Sequence, residues 1–125
     1  MPGVFVHLIA GSAMFFIGRY YFKAYFDGEH KRKERFFLAA VCLSFSLLPD
    51  LFLGIYYTTR ILPFDFLVPF HIFVHFIFSP IAIAALLILK YMVNINREPV
   101  WVTSLWCVVL HIVMDFFIPE IGWFI

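Results

Sequence analysis

Between Pro69 and Met92 an apolar run is broken by strongly polar side chains only at His71, His75, Ser79 and Lys90. About 20 apolar residues cross a bilayer core as a helix. Irregular backbone does not survive against lipid, because its N–H and C=O groups find no water there. The run therefore reads as a membrane helix and limits the fold to a helical bundle in lipid. His71 and His75 stand one helical turn apart, which puts both imidazoles on one face. A polar ring in hydrocarbon needs a partner, so this face must meet other polar groups.

Composition extends that argument to the whole chain. Of 125 residues, 64% are hydrophobic, 14% are charged and 18 are phenylalanine, whereas a soluble domain is nearer one quarter charged. In water such a chain would expose large apolar patches. The expectation is a single domain over residues 1–125 with an all-α integral membrane fold. A net charge of +1 carries no nucleic-acid signature. The basic run Asp27–Arg35 (Lys31, Arg32, Lys33, Arg35, with His30) also holds three acids and reads as a solvated loop near anionic headgroups. Cys42 and Cys107 lie singly in apolar segments and read as buried thiols, not as a redox pair. No basic region and cleavage site mark a signal peptide, so the first apolar segment is expected to stay as a span.

A four-transmembrane-helix bundle follows, with spans from Val4 to about Phe26, Phe36 to about Tyr57, Pro69 to about Met92 and Val100 to about Ile118. Pro49 interrupts the second span, Pro69 suits the first turn of the third, and Pro80 kinks it. Ile61–Val68 is too short to cross and is expected as a re-entrant or interfacial segment between helices two and three. Trp101 and Trp123 are expected as interfacial anchors, and Pro119-Glu120-Ile121-Gly122 as the end of the last span. Alternation puts Asp27–Arg35 and the Lys90–Glu98 turn (with Asn94) on one side. The positive-inside rule makes that side the cytoplasmic face of an inner or plasma membrane, with both termini outside.

On this topology His7, Asp50, His71, His75, His111 and Asp115 fall at similar depth in the outer half, one set from each span. A carboxylate at the bilayer centre costs about 2.5–3.5 kcal/mol, so two aspartates in so small a bundle ask for compensation. Imidazoles and carboxylates around a divalent cation supply it; zinc suits this set, as do manganese and iron. Each pair also has a plainer reading. His111-x-x-x-Asp115 and His71-x-x-x-His75 have the spacing of helix–helix hydrogen-bonding pairs. Pro49-Asp50 reads as a kink with a solvated acid, or as one whose freed backbone group and Ser46, one turn earlier, orient the carboxylate. His7 is equally at home among headgroups, with Gly11 below it leaving room for a close helix. The metal reading gains from four helices agreeing on one depth. Six candidate donors exceed the four of a structural zinc, so either two ions bind or some groups orient ligands or act as a base.

In order, His7-x-x-x-Gly11, Leu48-Pro49-Asp50, His71/His75 and His111-x-x-x-Asp115 with Pro119 and Gly122 resemble the membrane-bound metal-dependent hydrolases that include the LexA-binding inner-membrane hydrolase-like family. The likeness runs through scattered positions from residue 7 to residue 122. That family shows Pro-Asp-x-Asp and His-Arg-Gly-x-x-His-Ser. Here Leu51-Phe52 replaces the second acid, Ile72-Phe73 replaces Arg-Gly, and the second histidine comes one residue early. The resemblance implies this architecture, a metal site and a hydrolase, and it suggests tethering of a cytosolic regulator through Asp27–Arg35.

The function expected from these readings is metal-dependent hydrolysis of an ester or phosphoester, with membrane lipid as a reachable substrate. His75, His111 and Asp115 hold the metal and Asp50 completes or orients the site. His71 and His7 serve as extra ligand, proton shuttle or leaving-group acid. The alternatives are a non-catalytic tether and a proton or metal-ion conductor, though the inner half offers few polar residues to continue a path.

Overall fold

The computed structural model describes residues 4–93 and 95–117, and the regular structure among them is helical throughout. Helix α1 covers Val4–Tyr21 and α2 covers Lys23–Phe26; a 3-10 turn at Glu29–Lys31 leads into α3, Arg32–Leu47. A second 3-10 turn, Leu48–Asp50, joins α3 to α4, Leu51–Thr59. Helix α5 (Phe64–Phe73), a π turn (Val74–Phe78) and α6 (Ser79–Ile88) run on as one helix ending in a further π turn at Leu89–Val93. After a short 3-10 turn at Ile95–Arg97 comes α7, Glu98–Phe117.

Among the described residues two helices, rather than the expected four, are long and apolar enough to cross a membrane: Phe64–Met92 with 29 residues and Glu98–Phe117 with 20. Helix α1 has 18 residues and closes on Arg19 and two tyrosines. The second expected span is divided. Pro49 lacks an N–H, so α3 stops at Leu47 and the chain passes through a tighter turn before α4 begins. Helix α3 also starts earlier than expected, at Arg32, inside the supposed loop.

The expected re-entrant segment is not a separate element. Phe64–Val68 forms the opening of α5, behind Pro63 in extended conformation. Asp65 stands in the first turn, where the helix dipole favours an acid. Pro69 consequently lies inside α5 instead of starting it. Pro80 acts one step upstream of the kink expected of it. A proline ring crowds the carbonyl four residues back, here that of Phe76, and the helix widens into the π turn Val74–Phe78 just before it. His75 sits in that turn.

Two glycines set how closely α1 approaches its neighbours. A Cβ on Gly11 would fall 2.6 Å from Ser46 Oγ on α3, and one on Gly18 would fall 2.5 Å from Thr103 Cγ2 on α7. Phe26, Leu38, Cys42, Val100 and Cys107 fill the space between these helices, with both thiols free and buried. On the other side of α7, Ala82 and Leu86 of α6 pack against Val108. Trp101 is drawn inward from its expected interfacial position and meets Phe37 edge-on at 6.0 Å. Asn94, Pro119, Glu120, Gly122 and Trp123 lie outside the described residues.

The two polar turns meet at one end of the molecule. Arg97 donates to Glu34 at 2.9 Å, the Tyr25 hydroxyl donates to the same carboxylate at 3.3 Å, and Arg35 donates to the Phe26 carbonyl at 2.8 Å. At a rise of about 1.5 Å per residue, His111 lies roughly 20 Å along α7 from this end.

Candidate metal centre

Two backbone carbonyls decide what the histidines can do. His111, 1% exposed on α7, has Nδ1 3.0 Å from the carbonyl of Ser46. Ser46 is in the last turn of α3, where carbonyls run out of helical partners. His75 has Nδ1 3.1 Å from the carbonyl of His71. A carbonyl oxygen only accepts, so both imidazoles donate from Nδ1–H. This is how backbone groups commonly orient a metal-binding histidine, freeing Nε2 as the ligand atom. The two Nε2 atoms then face each other at 3.3 Å, and both face Asp115 Oδ2, at 2.6 Å from His75 and 3.0 Å from His111. Neutral rings held this way turn lone pairs on one another and on a carboxylate. A cation among them would relieve that crowding, and so would a proton on one Nε2, which would then donate to Asp115.

Asp50 arrives from the opposite side, carried inward by the 3-10 turn that Pro49 enforces, and is 4% exposed. Its Oδ2 lies 2.9 Å from His7 Nε2, while its Oδ1 lies 3.6 Å from His75 Nε2 and 3.8 Å from His71 Nδ1. His7 Nε2 is also 3.5 Å from Asp115 Oδ1. Both ring nitrogens of His71 and Nδ1 of His7, with Asp50 Oδ1 and Asp115 Oδ1, are buried without a well-formed hydrogen bond. Leaving one such atom unpaired costs about 1–3 kcal/mol, and a cation shared among them would offset that cost. Bonds of about 2.0–2.1 Å in a tetrahedron put neighbouring ligand atoms about 3.3 Å apart, and the contacts among these atoms run from 2.6 to 4.0 Å on either side of that value. His7, Asp50, His111 and Asp115 form one set of donors within 4.8 Å of each other, and Asp50, His71 and His75 form another.

All six residues singled out from the sequence meet here. His7 is 1% exposed and points into the cluster, not toward headgroups. Ser46 plays a different part from the one expected: its hydroxyl bonds the Cys42 carbonyl at 2.8 Å, and its own carbonyl orients His111. Phe52, where the resemblance would put a second acid, stacks on Phe70 at 5.8 Å and offers no donor. Sequence reasoning missed the Ser46 and His71 carbonyls and the spacing role of Gly18. Backbone acceptors have no residue signature; the nearby Pro49 and Pro80 were the available signals.

Beside the cluster lies a cavity of about 520 Å³, lined by His71, His75 and Asp115 and walled by apolar side chains including Ile72, Phe76 and Phe116. Phe76 is 76% and Phe116 82% exposed, so its mouth lies on the outer, apolar surface.

No family model, no curated protein and no solved structure matches this chain. What fold and site define is an all-helical protein with two helices of membrane length and a buried His/Asp cluster in range to hold a metal ion.

Proposed function

We propose that this chain is a four-span membrane hydrolase that uses a divalent metal, zinc before manganese or iron, to cleave an ester or phosphoester bond in a membrane lipid. The observation that carries the reading is the convergence of buried imidazole nitrogens and carboxylate oxygens within 4.8 Å of one another, several of them without a well-formed hydrogen bond. His75, His111 and Asp115 hold the ion and Asp50 completes the site. A bound divalent cation supplies Lewis acidity and brings the pKa of water from about 15.7 toward 7. His71, at both the cluster and the cavity, is a further ligand or the acid that protonates a leaving group, and His7 is a further ligand or proton carrier.

Placement in lipid has its own support. Polar side chains are buried beside the apolar core while large apolar ones face outward: His7, Asp50, His71, Thr103 and His111 are buried and Ile9, Phe16, Phe73 and Phe117 are exposed. Helix α1 runs antiparallel along α7, since Gly18 lies against Thr103 and His7 beside Asp115. If α7 crosses the bilayer, α1 shares its depth despite Arg19. The resemblance to membrane-bound hydrolases points the same way, as does the cavity mouth opening on an apolar outer surface. Tethering through Asp27–Arg35 has less support, because Arg35 binds the Phe26 and Gly28 carbonyls and Lys31 lies over the Tyr25 ring.

The test is elemental analysis of detergent-purified protein. Wild type carries stoichiometric zinc, manganese or iron, and Asp115→Asn, which keeps the shape and removes the charge, loses most of it. Unchanged metal in that variant sinks the assignment.

A further inference from the structure

Asp50 does not serve one histidine group but two. Oδ2 faces His7 at 2.9 Å and His111 at 4.0 Å, whereas Oδ1 faces His75 at 3.6 Å and His71 at 3.8 Å. The two donor sets share Asp50 and no other residue. Asp115 divides its oxygens too, with Oδ1 toward His7 and Oδ2 toward His75 and His111. A single tetrahedral ion uses four donors, which would leave two of these six residues buried and unpaired. His71 makes the point most clearly: it is 4% exposed, neither ring nitrogen has a hydrogen-bond partner, and it belongs only to the second set.

We infer that the centre holds two divalent cations bridged by the Asp50 carboxylate, and that its substrate is therefore a phosphoester. This rests on the metal-dependent reading above and narrows it. The first ion takes His7, His111, Asp50 Oδ2 and Asp115; the second takes His71, His75 and Asp50 Oδ1, with Asp115 Oδ2 within reach. Charge then selects the substrate. One divalent ion and two carboxylates sum to zero, a site that accepts a neutral carboxylic ester. Two divalent ions and two carboxylates leave two positive charges in a buried, low-dielectric place, which demand an anion. A phosphomonoester dianion cancels them and a phosphodiester monoanion halves them, while a neutral ester does neither. Paired ions about 3.5–4 Å apart are also the arrangement that clamps both the attacking and the leaving oxygen of a phosphoryl centre.

The experiment is manganese loading of the intact, detergent-purified chain, read by elemental analysis and by electron paramagnetic resonance. Wild type is expected to bind two manganese ions per chain with an exchange-coupled spectrum that millimolar orthophosphate perturbs and acetate does not. His71→Gln is expected to keep one ion with an uncoupled six-line spectrum. One ion per wild-type chain overturns the bridged pair but leaves a single-metal hydrolase standing, and no ion overturns both. Two uncoupled ions overturn the Asp50 bridge, and a coupled pair indifferent to orthophosphate overturns the substrate assignment. The stoichiometry and spectrum of wild type decide the matter even if the variant fails to fold.

Discussion

A hydrogen atom is the whole side chain of Gly11, and the centre depends on it. Gly11 is one turn from His7 on α1, and a Cβ there would sit 2.6 Å from Ser46 Oγ and 3.1 Å from the Cys42 carbonyl. The backbone carbonyl cannot move aside as a flexible side chain could. Helix α1 must then back away from α3, taking His7 from Asp50, and overpacking of this kind costs about 1–3 kcal/mol. Gly11→Ala is therefore expected to lower the melting temperature in detergent and to weaken metal binding at least tenfold in a chelator competition. Gly18→Ala meets the Thr103 side chain at the opposite end of α1. It should lower the melting temperature by a similar amount while leaving metal affinity within a few-fold. Equal losses of affinity in the two variants would mean that His7 is not a ligand. At this scale the sequence was informative. Six polar residues in apolar surroundings announced that they needed one another, because lipid offers no alternative partner. It could not say which atom of each ring would face inward, since Ser46 and His71 settle that through carbonyls common to every residue.

Element boundaries were harder to read, and the prolines show why. Hydropathy sees apolar length, whereas helix boundaries depend on local backbone hydrogen bonding. Pro49 ended α3 as its missing N–H requires, but Pro69 was absorbed inside α5, where a long apolar helix outweighs one lost hydrogen bond. Pro80 produced a π turn, a rare form that appears mostly at functional sites. The consequence is local. The wider turn lets the His71 carbonyl accept from the His75 ring, so both histidines enter the cluster with ring centroids 4.3 Å apart. Pro80→Ala restores an N–H for the Phe76 carbonyl and favours an ordinary α turn, rotating His75 away from Asp115. Helix content by circular dichroism should hold or rise slightly while metal affinity falls about tenfold or more, the range seen when groups that orient ligands are lost. Unaltered metal affinity would show that the π turn does not position His75.

At the scale of the whole molecule the question is how many helices cross, and the contacts make the alternatives exclusive. If only Phe64–Met92 and Glu98–Phe117 span, everything before α5 lies on one side, opposite the turn between these two helices. If α1 and the α3–α4 unit also span, Lys33 lies on the same side as Asn96, and Thr59 lies on the other. The Arg97–Glu34 pair at 2.9 Å belongs with the four-span reading proposed above, in which the polar turns share a side. Its pairing energy is small, about 0.2–1 kcal/mol for a partly exposed pair, but its geometry cannot be met across a bilayer roughly 30 Å thick. Cys42 and Cys107 are 0% and 1% exposed and provide a silent background for thiol labelling. Lys33→Cys, Asn96→Cys and Thr59→Cys each add one exposed thiol. With a membrane-impermeant maleimide, the first two are expected to label only in inverted vesicles and the third only in intact cells. Lys33→Cys labelling together with Thr59→Cys, and opposite Asn96→Cys, would leave two spans and break the Arg97–Glu34 contact. The centre would then sit on α7 with His7 and Asp50 reaching it from outside the membrane, and lipid could no longer be the route by which its substrate arrives.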